Sequence, residues 1–167
     1  IRKGERRIEI RMIDILADGA VLFSAGPDIG DAPEQAFASR DGQRRCALPL
    51  DDSGECPFVT RTLDASPGGE ILVLSSPDTL YRTEGGTLVD VISEGDVLPD
   101  GSVVASFGDG YLGDAGDVLV QIVSIRNETT LYGGFHFPPG GPPIQLADGV
   151  NPRGVNSSVM FGARFAN

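Results

Sequence analysis

The chain has 167 residues, 40% hydrophobic and 22% charged, enough to bury one domain's core and too apolar for a disordered segment. Its 24 acidic and 13 basic residues give a net charge of −11, and an acidic body repels nucleic acid and anionic lipid headgroups, so neither is expected as a main partner. Gly (23) and Pro (12) are spread along the chain between short apolar runs, the composition of many tight turns and many short strands, and no apolar run approaches the ~18 residues of a membrane-crossing helix.

The chain begins at Ile1 without an initiator Met or a signal-peptide pattern, and a processed or truncated start is expected. Arg2, Lys3, Arg6, Arg7 and Arg11 are five of the basic residues, set against only Glu5 and Glu9, which leaves 22 acidic and 8 basic residues for the rest. This stretch reads either as a solvated strand edge guarded by charge or as a docking segment for an acidic partner or membrane surface. Arg7 to Met12 alternates apolar and polar, a strand signature. Near Asp31 the run D-A-P-E-Q-A-F is the best helix candidate, with Pro33 where a helix start tolerates it. Next come Cys46 and Cys56, separated by a segment containing Pro49 and D-D-S-G, so the chain can fold back on itself. The spacing suits a disulfide better than zinc, and a disulfide places the chain in an oxidising compartment, periplasmic or extracellular. Two buried thiols are the other reading.

Four segments share an apolar residue, a turn, often a Gly, and a short alternating run. They are I-L-A-D-G-A-V-L-F from Ile15, L-D-A-S-P-G-G-E-I-L-V from Leu63, L-G-D-A-G-D-V-L-V from Leu112 and V-N-P-R-G-V-N-S-S-V from Val150. Their first apolar residues after the turn are Val21, Ile71, Val118 and Val159, at spacings of 50, 47 and 41 residues. A period near that length belongs to propeller blades and similar β arrays. Leu80-Tyr81 with Gly85-Gly86, Leu131-Tyr132 with Gly140-Gly141, and Phe37 with Asp41-Gly42 supply matching hairpins, since those turn residues accept positive φ. The expected architecture is all-β, about three four-stranded antiparallel units forming a whole or partial propeller-like array. The whole chain, 1–167, is one domain, its units falling at approximately 15–62, 63–111 and 112–149. Terminal strands at 7–14 and 157–165 complete it.

With Gly113-Asp114-Ala115-Gly116-Asp117-Val118-Leu119-Val120 followed by L-Y and G-G, the chain resembles bacterial tandem-repeat proteins of the choice-of-anchor type, whose blades carry N-x-x-G-x-x-A-F. The signature Asn is Leu16, Ser66 and Gly113 here, and the final Ala-Phe is Leu22-Phe23, Leu72-Val73 and Leu119-Val120. The resemblance implies architecture, and no functional residue is carried over from it.

Chemical motifs are sparse. His136 is the only histidine, between Phe135 and Phe137, and lacks the second His of a metal pair. No G-x-S-x-G, H-E-x-x-H or phosphate-binding loop occurs, and no cofactor is expected. Asp109, Asp114 and Asp117 are weak calcium candidates, as are Asp96 and Asp100, but neither run has the calcium-loop spacing and Asp with Gly is ordinary turn chemistry. Tyr81 and Tyr132 read as packing residues. P-P-G-G-P-P near Pro138 reads as a contact loop or a long turn. Asn127 and Asn156 begin glycosylation sequons.

The expected role is a non-enzymatic interaction or scaffold domain with a protein partner covering its terminal strands, in one version an accessory subunit on the periplasmic face of a membrane complex. The rival is a secreted hydrolase or lyase with a carboxylate-based site. A buried, pKa-shifted carboxylate pair in a central cleft favours the enzyme, whereas a flat face with an uncovered sheet edge favours the partner.

Overall fold

The computed structural model describes residues 8–27, 33–75 and 78–150, with side chains up to 146. Among these residues every element is a strand: β1 Ile8–Ile15, β2 Val21–Pro27, β3 Gln35–Arg40, β4 Gln43–Cys46, β5 Arg61–Ala65, β6 Ile71–Ser75, β7 Thr79–Glu84, β8 Thr87–Ser93, β9 Val103–Leu112, β10 Val118–Arg126, β11 Thr129–Phe137 and β12 Ile144–Val150. They form three four-stranded antiparallel sheets in consecutive order, β1-β2-β3-β4, β5-β6-β7-β8 and β9-β10-β11-β12. The all-β reading and its three four-stranded units hold.

The phase of the repeat differs from the expected one. The strand before each glycine turn pairs with the strand after it, as Ile15 pairs with Val21, Ala65 with Ile71 and Leu112 with Val118. Boundaries drawn at 15–62, 63–111 and 112–149 therefore cut near the turns inside the sheets, because a hairpin is held together by the ladder across its turn. Ile8–Ile15 is accordingly the first strand of the first sheet rather than a terminal strand outside the three units, and the expected 157–165 strand lies outside the described residues.

Among the described residues the turn itself recurs five times with one hydrogen-bond pattern. The amide of its first residue donates to the carbonyl four residues on, and the amide of its glycine donates back to the first carbonyl, at Leu16/Gly19, Asp51/Gly54, Ser66/Gly69, Leu98/Gly101 and Gly113/Gly116. These glycines have φ between 79° and 90°, a region costly for any residue with a Cβ. The hairpins at Asp41-Gly42 and Gly85-Gly86 form as expected, both residues at positive φ. Asn127-Glu128 makes a third, although Glu is not a turn residue, and this places the Asn127 sequon on an exposed tip.

The expected helix near Asp31 is absent from the described part of its run: Glu34 bridges to Val59 and β3 begins at Gln35. Ala36 and Ala38 sit buried between the first two sheets, and that packing overrides their helix preference. Cys46 and Cys56 form the expected disulfide, with Cα atoms 5.5 Å apart, closing the loop between the first and second sheets. The described residues form two cores. Leu16, Leu22, Ala36, Ala38, Ile71 and Val73 fill the space between the first and second sheets. Leu72, Leu80, Ile92, Val118, Val120, Ile122, Phe135 and Phe137 fill that between the second and third. The second sheet is thus apolar on both faces, which explains the unbroken I-L-V-L of β6.

Candidate functional site

The first strands of the three sheets, β1, β5 and β9, lie side by side and are tied by side chains that reach across. Arg11 on β1 donates from Nη2 to the Thr62 carbonyl on β5 at 2.8 Å and to the Glu34 carboxylate at 3.1 Å, while Glu34 also accepts the Thr62 amide. Arg61 on β5 repeats the device, donating to the Gly108 carbonyl on β9 at 2.7 Å. Asp64 accepts the Leu112 amide at 2.8 Å. These contacts satisfy backbone groups that the hairpin ladders leave open.

A cleft of 220 Å³ opens along this seam, lined by Arg11, Met12, Arg61, Thr62, Asp109 and Tyr111 among others. Burial pushes the Asp64 carboxyl above the usual carboxylate range, against the lowering effect of its bonds to the Leu112 and Ala65 amides, and the charge of Asp14 raises it further. The molecule therefore has a shifted carboxylate with a second carboxylate near it, but neither Asp64 nor Asp14 is among the residues lining the cleft. Asp64 is turned to the Leu112 backbone, the work of a cross-sheet clamp. A wider groove of 590 Å³ runs between the second and third sheets beside Pro138, Pro139 and Gly140. Its one deeply buried cation, Arg82, is spent on the Gly116 carbonyl and on Glu84.

Of the residues singled out in the sequence, Arg11 is a structural tie, half-exposed at its side chain, and Arg2, Lys3, Arg6 and Arg7 lie outside the described residues. Asp109, Asp114 and Asp117 do not assemble: no group of three or more His, Cys, Asp or Glu is placed to hold a metal ion among the described residues. Asp117 instead meets His136 Nε2 at 2.8 Å. Asp96 accepts the Ser93 amide and Asp100 the Ser102 amide and hydroxyl, the local bonds of turn aspartates. His136 lies on the opposite face of β11 from the buried Phe135 and Phe137. Tyr81 packs on the core between the first two sheets. Glu34, Asp64 and Arg82 were not singled out in the sequence. Only Arg82 left a signal there, as a charge on the inward-facing side of an alternating strand.

Among the described residues, two sheet faces carry apolar side chains toward water. On β1, Ile8, Ile10, Met12 and Ile15 are 60–70% exposed. They share a sheet face with Val21, Phe23 and Phe37 through the pairs Met12–Phe23, Ile15–Val21 and Phe23–Phe37. The two rings stand 5.7 Å apart with the Arg44 guanidinium over Phe37. At the other end of the stack, Leu119, Val123 and Ile125 on β10 face away from the core, the first two half-buried and Ile125 exposed, joined by exposed Val103, Tyr111 and Ile144. No protein-family model matches the chain, and the searches of curated proteins and of solved structures return no match.

Proposed function

We propose that the chain is a non-enzymatic protein-interaction or scaffold domain that works outside the cytoplasm, through the two open end faces of its sheet stack. The observation that carries this reading is the apolar outer face of the first sheet, where Ile8, Ile10, Met12 and Ile15 are exposed although Thr62, Ala65 and Leu112, which hold the places of Met12 and Ile15 in the second and third sheets, are buried. Leaving that much apolar surface open costs solubility, and a binding role offsets it. The disulfide supports an oxidising compartment. One form of the role is an accessory subunit at the periplasmic face of a membrane complex, met through Arg2, Lys3, Arg6 and Arg7. The sheet stack and its recurring glycine turn also support kinship with the bacterial choice-of-anchor repeat proteins. The enzyme reading draws only on Asp64 and Asp14, and the engagement of Asp64 with Leu112 counts against it.

The test is site-specific photo-crosslinking from positions 12 and 125 in cells exporting the chain, with exposed position 88 as control. Protein adducts from 12 and 125 but not from 88 are expected. A folded chain giving none at either end would remove the reading.

A further inference from the structure

Resting on the reading of the end faces as interfaces, we propose that their occupant is a second copy of this chain. Two chains then close head to tail into a ring of six sheets. The grounds lie in how the three sheets already pack. Counted from the first residue after each glycine turn, the same positions face the same way in every sheet. Positions one and three face the preceding sheet: Ile71 and Val73 pack on the first sheet, and Val118 and Val120 on the second. Positions two and four face the following sheet, as Leu22 does toward the second and Leu72 toward the third. Val21 and Phe23 are therefore the backward-facing pair of the first sheet, and Leu119 and Gln121 begin the forward-facing row of the third.

The strand before the turn repeats the rule. Met12, Thr62 and Gly110 pair with Phe23, Val73 and Val120. Thr62 is buried, and a Cβ added at Gly110 would meet Leu72 of the second sheet at 2.9 Å, whereas Met12 is 67% exposed. Ile15, Ala65 and Leu112 behave alike: Ala65 and Leu112 are buried, and Ile15 is open. The first sheet thus carries the backward-packing surface of the second and third with nothing described behind it, and it carries it in apolar residues. The third sheet carries the forward-packing surface with nothing described ahead. Joining these two surfaces continues the two interfaces inside the chain.

A polar contact follows the same rule. Arg82 pairs with Leu72 and reaches forward to the carbonyl of Gly116, the turn glycine of the next sheet. His136 holds that place opposite Leu119 on the third sheet, and Gly19 is the turn glycine of the first. The ring brings His136 of each copy to the Gly19 turn of the other. Six sheets lie within the four to eight of closed propeller-like rings, and a twofold axis gives two identical junctions.

The experiment is the native mass of the purified chain at micromolar concentration, with M12D and I125D, which change exposed side chains at opposite ends. Circular dichroism establishes that each variant is folded. We expect wild type at twice the 17.5 kDa of one chain. Each variant alone should lose the dimer, weakened about tenfold or more by the charge buried at both junctions. An equimolar mixture should recover a heterodimer, because one junction then has two unaltered faces. Wild type that stays monomeric, a dimer that only M12D breaks, or an open-ended polymer overturns the ring. A monomer in solution whose end faces still crosslink to another protein in cells overturns the second copy as occupant and leaves the interaction role standing.

Discussion

Asp64 shows how one side chain joins two sheets. Its carboxylate holds the Leu112 amide, 48 positions along the chain, and it does so from a site that disfavours charge. Asp64→Ala leaves a largely buried amide without its acceptor and is expected to cost about 1–3 kcal/mol in chemical denaturation, whereas Asp64→Asn keeps an acceptor oxygen and should cost far less. The pH dependence has a definite sign. The folded-state pKa lies above the ordinary 3.8, so the protonated form favours folding; that contribution is present below 3.8 and is lost as pH rises through the raised value. Asn does not titrate, so the stability of D64N relative to wild type should improve across that window. A constant difference from pH 3 to pH 7 would sink the account. Asp18, Asp51 and Asp100 are lowered by their turn hydrogen bonds, from Ala20, Ser53 and Ser102 first, and lose their contribution only as pH falls below 3.8, so they cancel in the comparison. The glycine turns around these aspartates were readable, because positive φ restricts the residue type. Asp64 was not, since it stands beside a turn like the others and its partner is chosen by tertiary packing.

The elements divide the same way. Strand existence was legible from alternation and turn residues, and so was the repeat, because three glycine turns sit at nearly constant spacing. The grouping of strands into sheets was not: a sequence repeat can be cut at any point, and only the ladder from Ile15 to Val21 and its two counterparts says which strands belong together. The helix expected near Pro33 failed because Ala36 and Ala38 are needed as small residues between sheets, a demand set by Ile71 and Val73 across the interface. Leu72 shows what the larger interface contributes. It is fully buried among Val118, Val120, Ile122 and Phe135, so Leu72→Ala should cost about 2–5 kcal/mol with the native strands retained. Circular dichroism during urea unfolding measures it, and a loss under about 1 kcal/mol would mean that the second and third sheets do not share that core.

At the scale of the whole molecule the two interfaces are unequal. The second and third sheets meet through Leu, Ile, Val and Phe side chains, whereas Ala20, Ala36, Ala38 and Ala65 take four of the ten buried places between the first and second sheets. Less apolar area is removed from water there, so in a stack where each sheet touches only its neighbours the first sheet opens first. The disulfide stands at that weak place, closing a loop at a sequence separation of 10 between the end of β4 and the chain leading to β5. In the loop-entropy model it stabilises by about 2–3 kcal/mol, which offsets the small side chains beside it. Reduction should therefore not loosen the molecule evenly. Hydrogen exchange followed by mass spectrometry on M12D, whose folded single chain removes any effect of association, should show faster exchange in β1 to β4 on reduction, with β6, β7, β10 and β11 still protected. Equal acceleration in all three sheets would mean that the stack unfolds as one unit and that the interfaces are matched in strength. Acceleration confined to the first sheet would make the disulfide the device that keeps its apolar outer face presented, and would tie that presentation to an oxidising compartment.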